Sequence, residues 1–126
     1  MKRILITIQG NDVAPRFDLT AEVLIVSLNA EGGIDHRKSV VLPTVAAEAL
    51  SHLIITEGAT TVICGAIEEE YYQYLTWKNI QVFDSVIGPY ERVLEWALAG
   101  RIECGSNLLK QATQDRSSPK ASSRTI

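Results

Sequence analysis

Apolar and polar positions along Arg3 to Gln9 follow a period of two, with Ile4, Ile6 and Ile8 on one side and Leu5 and Thr7 on the other. That pattern predicts a strand. Gln9-Gly10-Asn11-Asp12 interrupts it, and a loop is expected through Pro15 to about Leu19. Glu22 to Leu28 predicts a second strand, and the turn formers from Asn29 to Gly33 predict a hairpin into a third, Ile34 to Leu42. The third strand is half polar, as suits a sheet edge. The period then changes. Val45, Ala46, Ala49, Leu50, Leu53 and Ile54 recur at helical spacing, with Pro43 in the first turn and Gly58 as the stop. Thr61 to Cys64 is a short apolar run bracketed by Gly58 and Gly65, the signature of a parallel strand covered on both faces. A helix is expected from about Glu68 to Lys78, a fifth strand from Ile80 to Phe83, and a last helix from Pro89 to about Ala99 with Gly100 as its cap. After Leu109 the periodicity ends, so residues 1–109 predict one domain and residues 110–126 a disordered basic tail.

The resulting order is β-β-β-α-β-α-β-α. A meander followed by two helical crossovers predicts an α/β three-layer fold. Its mixed five-stranded sheet would run 3-2-1-4-5, with strands one, four and five parallel and helices on both faces. That is a ribonuclease-H-like arrangement. The switch point falls between strands one and four, where open α/β sheets place their ligands. Three loops would gather there: Gly10 to Asp18, Cys64 to Ile67, and Asp84 to Gly88.

Composition narrows the function classes. The chain has 126 residues, 46% of them hydrophobic and 21% charged, which suits one globular domain. Charge is unevenly distributed: residues 1–109 carry 8 basic and 14 acidic side chains, net −6, whereas residues 110–126 are net +3. An acidic body argues against nucleic-acid binding, which depends on neutralising phosphates. No apolar run approaches the roughly 20 residues that span a bilayer, so no membrane partner is expected. The basic tip Lys2-Arg3 and the short apolar run after it read as a strand rather than a signal peptide. Cys64 and Cys104 make no disulfide framework, and a reduced, cytoplasmic setting is expected.

Cys64 stands at the carboxyl end of the expected central strand. It reads either as a packed small hydrophobe or as a soft metal contact. A helix N-terminus beside it would lower its pKa, and Glu68, Glu69 and Glu70 would oppose that. Cys104 is expected to pack, and His36 and His52 to lie on the surface. Arg16 could pair with Asp12 or Asp18, or contact an anion. Tyr71, Tyr72, Tyr74 and Trp77 crowd one helix, where they either cover the sheet or, if exposed, mark a partner surface. The chain has no glycine-rich phosphate loop and no nucleophile elbow. A metal-dependent phosphodiesterase would need clustered carboxylates. Asp12, Glu48 and Asp84 are the available set, with Glu48 expected on a helix away from that edge.

Val13-Ala14-Pro15-Arg16-Phe17-Asp18, Val62-Ile63-Cys64-Gly65-Ala66-Ile67 and the helix from Val86-Ile87-Gly88 to Leu98-Ala99-Gly100 together resemble the dinitrogenase iron–molybdenum cofactor biosynthesis family (NifX type). The resemblance covers roughly residues 2–109. It implies a non-catalytic protein that binds or carries iron–molybdenum cofactor or a related molybdenum, iron or copper–sulfur cluster. Cluster donor and acceptor proteins would be its partners, and it would be a monomer or weak homodimer. Many members carry a histidine, a candidate cluster ligand, where Arg16 stands, and a glycine is common where Asp18 stands. Protonated arginine does not ligate a metal but can hold an anionic cluster by charge and hydrogen bonds. The site is expected among Asn11, Arg16, Phe17, Cys64, Gly65, Ala66, Asp84 and Ser85, with Cys64 as the metal contact. The alternative from a different class is a cofactor-free interaction or regulatory module.

Overall fold

Ile4, Leu5, Ile6, Thr7 and Ile8 are all buried along β1 (Arg3–Gln9), because this strand is covered on both faces and flanked on both sides. The computed structural model describes residues 2–109. The expected tail, 110–126, lies outside the described residues. On one side β1 pairs antiparallel with β3 (Glu22–Leu28), bringing Ile4 opposite Val26 and Ile6 opposite Leu24. On the other it pairs parallel with β5 (Thr61–Ile63), Leu5 opposite Val62 and Ile6 opposite Ile63. β4 (Ile34–Val41) continues the meander outside β3, and β6 (Gln81–Phe83) lies parallel outside β5.

The sheet is open and mixed, but it has six strands rather than five. The additional strand, β2 (Asp12–Val13), folds back on the end of β1, pairing Ile8 with Val13 and Gln9 with Asp12. The path therefore reads β4-β3-β1-β5-β6 with β2 beside β1, in place of the expected 3-2-1-4-5 numbering of five strands. The cause is local. Gly10-Asn11 is a two-residue hairpin turn, and Gly10 supplies the positive φ of 63° that such a turn requires at its first central residue.

Alternation along the strands divides the core in two. Leu5, Val23, Ile25 and Val62 meet α1 (Ala47–Thr56) through Leu50 and Ile54, and α2 (Glu69–Trp77) through Leu75. Ile4, Ile6, Ile8, Leu24, Val26 and Ile63 meet α3 (Tyr90–Leu98) through Val93 and Leu94 on the opposite face. Fully burying an aliphatic side chain of this size is worth about 1.5–3 kcal/mol, so each face holds its helices mainly by apolar burial. α1 begins later than the proline predicted. Leu42 still donates to the Ala21 carbonyl and Ala46 remains extended, which keeps Pro43 out of the helix. Among the described residues no helix is long and apolar enough to cross a membrane.

Candidate functional site

The three loops at the carboxyl edge of β1, β5 and β6 meet through their backbones. Phe17 N–H donates to the Ala66 carbonyl at 2.8 Å, and Ala66 N–H donates to the Pro15 carbonyl at 2.9 Å. Gly65 makes that approach possible, since a Cβ there would collide with the carbonyl oxygens of Ala14 and Pro15. The third loop joins through Ser85 N–H to the Gly65 carbonyl (2.9 Å) and Val86 N–H to the Cys64 carbonyl (3.0 Å). The first loop also reaches the start of α3, with Val13 N–H donating to Gly88 and Tyr90 N–H to the Asn11 carbonyl.

A fourth segment closes this rim from outside. Gly105 N–H donates to the Asp84 carbonyl, and Ile87 exchanges hydrogen bonds with Ser106 and Leu108. Sequence reasoning did not place residues 105–108 here, because the backbone bonds that hold the segment leave no periodicity in the sequence and Leu108 alone of its side chains is buried in the core. It also passed over Thr7. That hydroxyl is buried without a hydrogen-bond partner, and Thr7 and Cys64 each follow the paired residues Ile6 and Ile63.

The expected site residues divide by exposure. Asn11, Arg16, Ala66 and Ser85 are exposed, and Asp84 is half-buried. Ser85 holds a positive φ of 58° and its hydroxyl lies 3.2 Å from the Asp84 carboxylate. Phe17 and Gly65 are buried instead. Phe17 belongs to the core facing α1 and α2, where its ring lies 6.1 Å from that of Tyr71.

Cys64 is buried in the same core and its side chain is not presented to the loop edge. Burial first, then the nearby Asp84 and Cys104, push its thiol up to about 12. Of the opposing influences that the sequence left open for this thiol, neither leads: the cost of removing a thiolate from water outweighs the helix dipole. Its amide is also engaged, donating to the Phe83 carbonyl. Cys104 is exposed rather than packed, with Sγ 3.6 Å from the Val82 carbonyl.

Arg16 is 57% exposed and grips Asp18 in a bidentate pair, Nε to Oδ1 at 3.0 Å and Nη2 to Oδ2 at 2.6 Å. His36 and His52 are exposed. Asp12 and Asp84 lie at the loop edge while Glu48 sits on α1. Among the described residues no three His, Cys, Asp or Glu side chains come together as a metal ion would require.

The edge therefore offers a hydrogen-bonding rim with one arginine, rather than a ready set of ligating side chains. No family model matches the chain, and no curated protein does. Several solved structures are similar to it, among them those of three different proteins. The protein PH0822 superimposes with a TM-score of 0.72 at 19% identity, over 81% of this chain and 95% of its own. A Methanocaldococcus jannaschii protein provisionally named a dinitrogenase gives 0.65 at 19% identity, over 80% and 91%. The apo form of the orange protein from Desulfovibrio gigas gives 0.65 at 22% identity, over 82% and 92%. At these identities the likeness establishes a shared fold.

Proposed function

We propose that this chain is a non-catalytic carrier for an anionic metal–sulfur cluster, held as cargo at the carboxyl edge of β1, β5 and β6. The observation that carries the reading is the fusion of three loops around Gly65, with Asn11, Arg16 and Ser85 exposed on the rim. Likeness to a structure named as an apo form, a word that presupposes a ligand, and to one provisionally named a dinitrogenase supports it. We read the sheet as a variant of the ribonuclease-H-like layout with an added hairpin. Iron–molybdenum cofactor or a related molybdenum, iron or copper–sulfur cluster is the class of cargo that this reading takes.

The mode of holding in this reading follows from the donor set. With Cys64 sealed in the core, the rim supplies charge and hydrogen bonds, and the cluster brings its own sulfur ligands. The carboxylate of Asp18 competes for the Arg16 guanidinium. Arg16→Ala should weaken cluster binding about ten- to a hundredfold, the loss of about 1.5–3 kcal/mol typical of a charge-assisted contact. Asp18→Asn should strengthen it by freeing the guanidinium, and Cys64→Ala should leave it unchanged. The experiment is anaerobic reconstitution with iron–molybdenum cofactor, its precursor, or thiomolybdate with and without copper, read by optical spectra and metal analysis. Failure of the wild type to retain metal under every condition would remove the carrier reading.

A second reading has its own observation. Trp77 on α2 is 74% exposed, its ring centre 6.4 Å from that of Tyr74 in a tilted arrangement, with the Lys78 ammonium 5.1 Å from the Trp77 ring centre. A tryptophan left in water at the end of a helix is the kind of anchor that interaction surfaces use. If no cluster binds, an interaction module built on this helix takes the place of the carrier.

A further inference from the structure

Away from the loop edge, α1 and α2 lie side by side on one face of the sheet and leave a groove of about 480 Å³ between them. Glu48, Ser51 and Ile55 line it from α1, and Glu70, Tyr71 and Tyr74 from α2. We propose that this groove is a binding site for a small organic cation, an ammonium or guanidinium group on a short apolar body.

Four observations converge. Ser51 is buried, with a relative exposure of 5%, yet its hydroxyl at the groove has no hydrogen-bond partner, so it is free to accept from an ammonium or guanidinium N–H or to donate to a ligand oxygen. Glu48 and Glu70 give the groove two carboxylates, and its lining holds no lysine or arginine, His52 being the one imidazole there. Two tyrosine rings and Ile55 supply apolar and π surface, the complement of a cation that carries methylenes or methyl groups. The Tyr74 ring already attracts an ammonium group within the chain, since Lys78 Nζ lies 5.8 Å from its centre. The Tyr71 phenol is held above its usual range first by burial and then by Glu48, Glu70 and Glu68.

The groove does not suit a metal ion. His52 lines it with Glu48 and Glu70, but no three such groups among the described residues come close enough to share one. Two separated carboxylates with aromatic walls match a diffuse positive charge instead. The inference is independent of the cluster carrier and survives its failure.

The test is a titration of the full chain followed by amide chemical shifts, with choline, putrescine and arginine amide as probes. The neutral isostere 3,3-dimethylbutan-1-ol and the anion glutarate serve as controls. At least one cation should give saturable shifts confined to Ser51, Tyr71, Tyr74 and their neighbours, with the neutral isostere of choline at least about tenfold weaker. The double variant Glu48→Gln with Glu70→Gln should lose about tenfold or more in affinity. Tyr74→Leu, at a partly exposed position that the core does not need, should weaken choline binding and serves if the double variant does not fold. The proposal is overturned if no probe saturates below roughly 10 mM. It is equally overturned if the isostere or glutarate binds as well as the cations, or if folded variants bind like the wild type.

Discussion

A methyl group at position 65 would strike the carbonyl oxygens of Ala14 and Pro15, which belong to a loop 50 residues away in sequence. Gly65→Ala should therefore cost about 1–3 kcal/mol or more in urea unfolding, the range for a contact that cannot relax without moving backbone. Cys64 makes a prediction of a different kind. Its folded thiol is raised from an ordinary 9.0 to about 12, so the folded chain keeps a proton that the unfolded chain releases above about pH 9. Stability contributed by the neutral thiol is then lost as pH rises between those two values. Relative to Cys64→Ala, the wild type should lose about 1.4 kcal/mol between about pH 8 and about pH 10. A thiol reagent at neutral pH should label Cys104 in the folded chain and reach Cys64 only on unfolding, because one is exposed and the other buried. The residue types at 64 and 65 were legible in the sequence as the marks of a strand end. Whether the thiol faced the loops or the core was not, because that depends on how the surrounding elements pack over the end of β5.

At the scale of elements, α2 is held by little. Leu75 is its one fully buried side chain, with Tyr71 and Tyr72 half-buried beside it. Leu75→Ala should destabilise the chain by about 2–5 kcal/mol and release α2 amides to exchange before the rest of the fold. By contrast, Arg37 of β4 and Glu91 of α3 form a bidentate pair at 2.8 and 3.1 Å on the surface. The shared hydrogen bonds raise the arginine pKa and lower that of the glutamate. Both side chains are largely in water, so Arg37→Ala should cost no more than about 1 kcal/mol, and less at high salt. The long strands and helices were readable from periodicity. β2 was passed over although Gly10-Asn11 is a recognised hairpin signal, because two residues of strand are too short to show alternation.

For the whole molecule the formal net charge is −3, with −6 on residues 1–109 and +3 on residues 110–126, so no overall positive field draws in a polyanion. The chain should show no retention on duplex DNA at about 0.15 M salt, since non-specific binding rests on neutralising phosphate charge. With Asp12 and Asp84 at the loop edge and Glu48 on α1, no cleavage of phosphodiesters with Mg²⁺ or Mn²⁺ is expected either. His36→Ala should leave both stability and cluster binding unchanged, because His36 is an exposed residue of the outer strand β4.

Local pattern determined what depends on near neighbours along the chain: the period of each strand and helix, the exposed outer strand, and the central run at 61–64. The convergence of the loops after strands one, four and five also followed, because sheet order and strand direction fix which ends come together. Tertiary structure alone decided which side chains at that edge face water. Cys64 and Phe17 are drawn inward by the core under α1 and α2, Arg16 is turned toward Asp18, and residues 105–108 are recruited by backbone bonds together with the burial of Leu108. The groove beneath Tyr71 and Tyr74 is of the same kind. Its lining comes from two helices that share one face of the sheet, and burial of that common face brings them side by side.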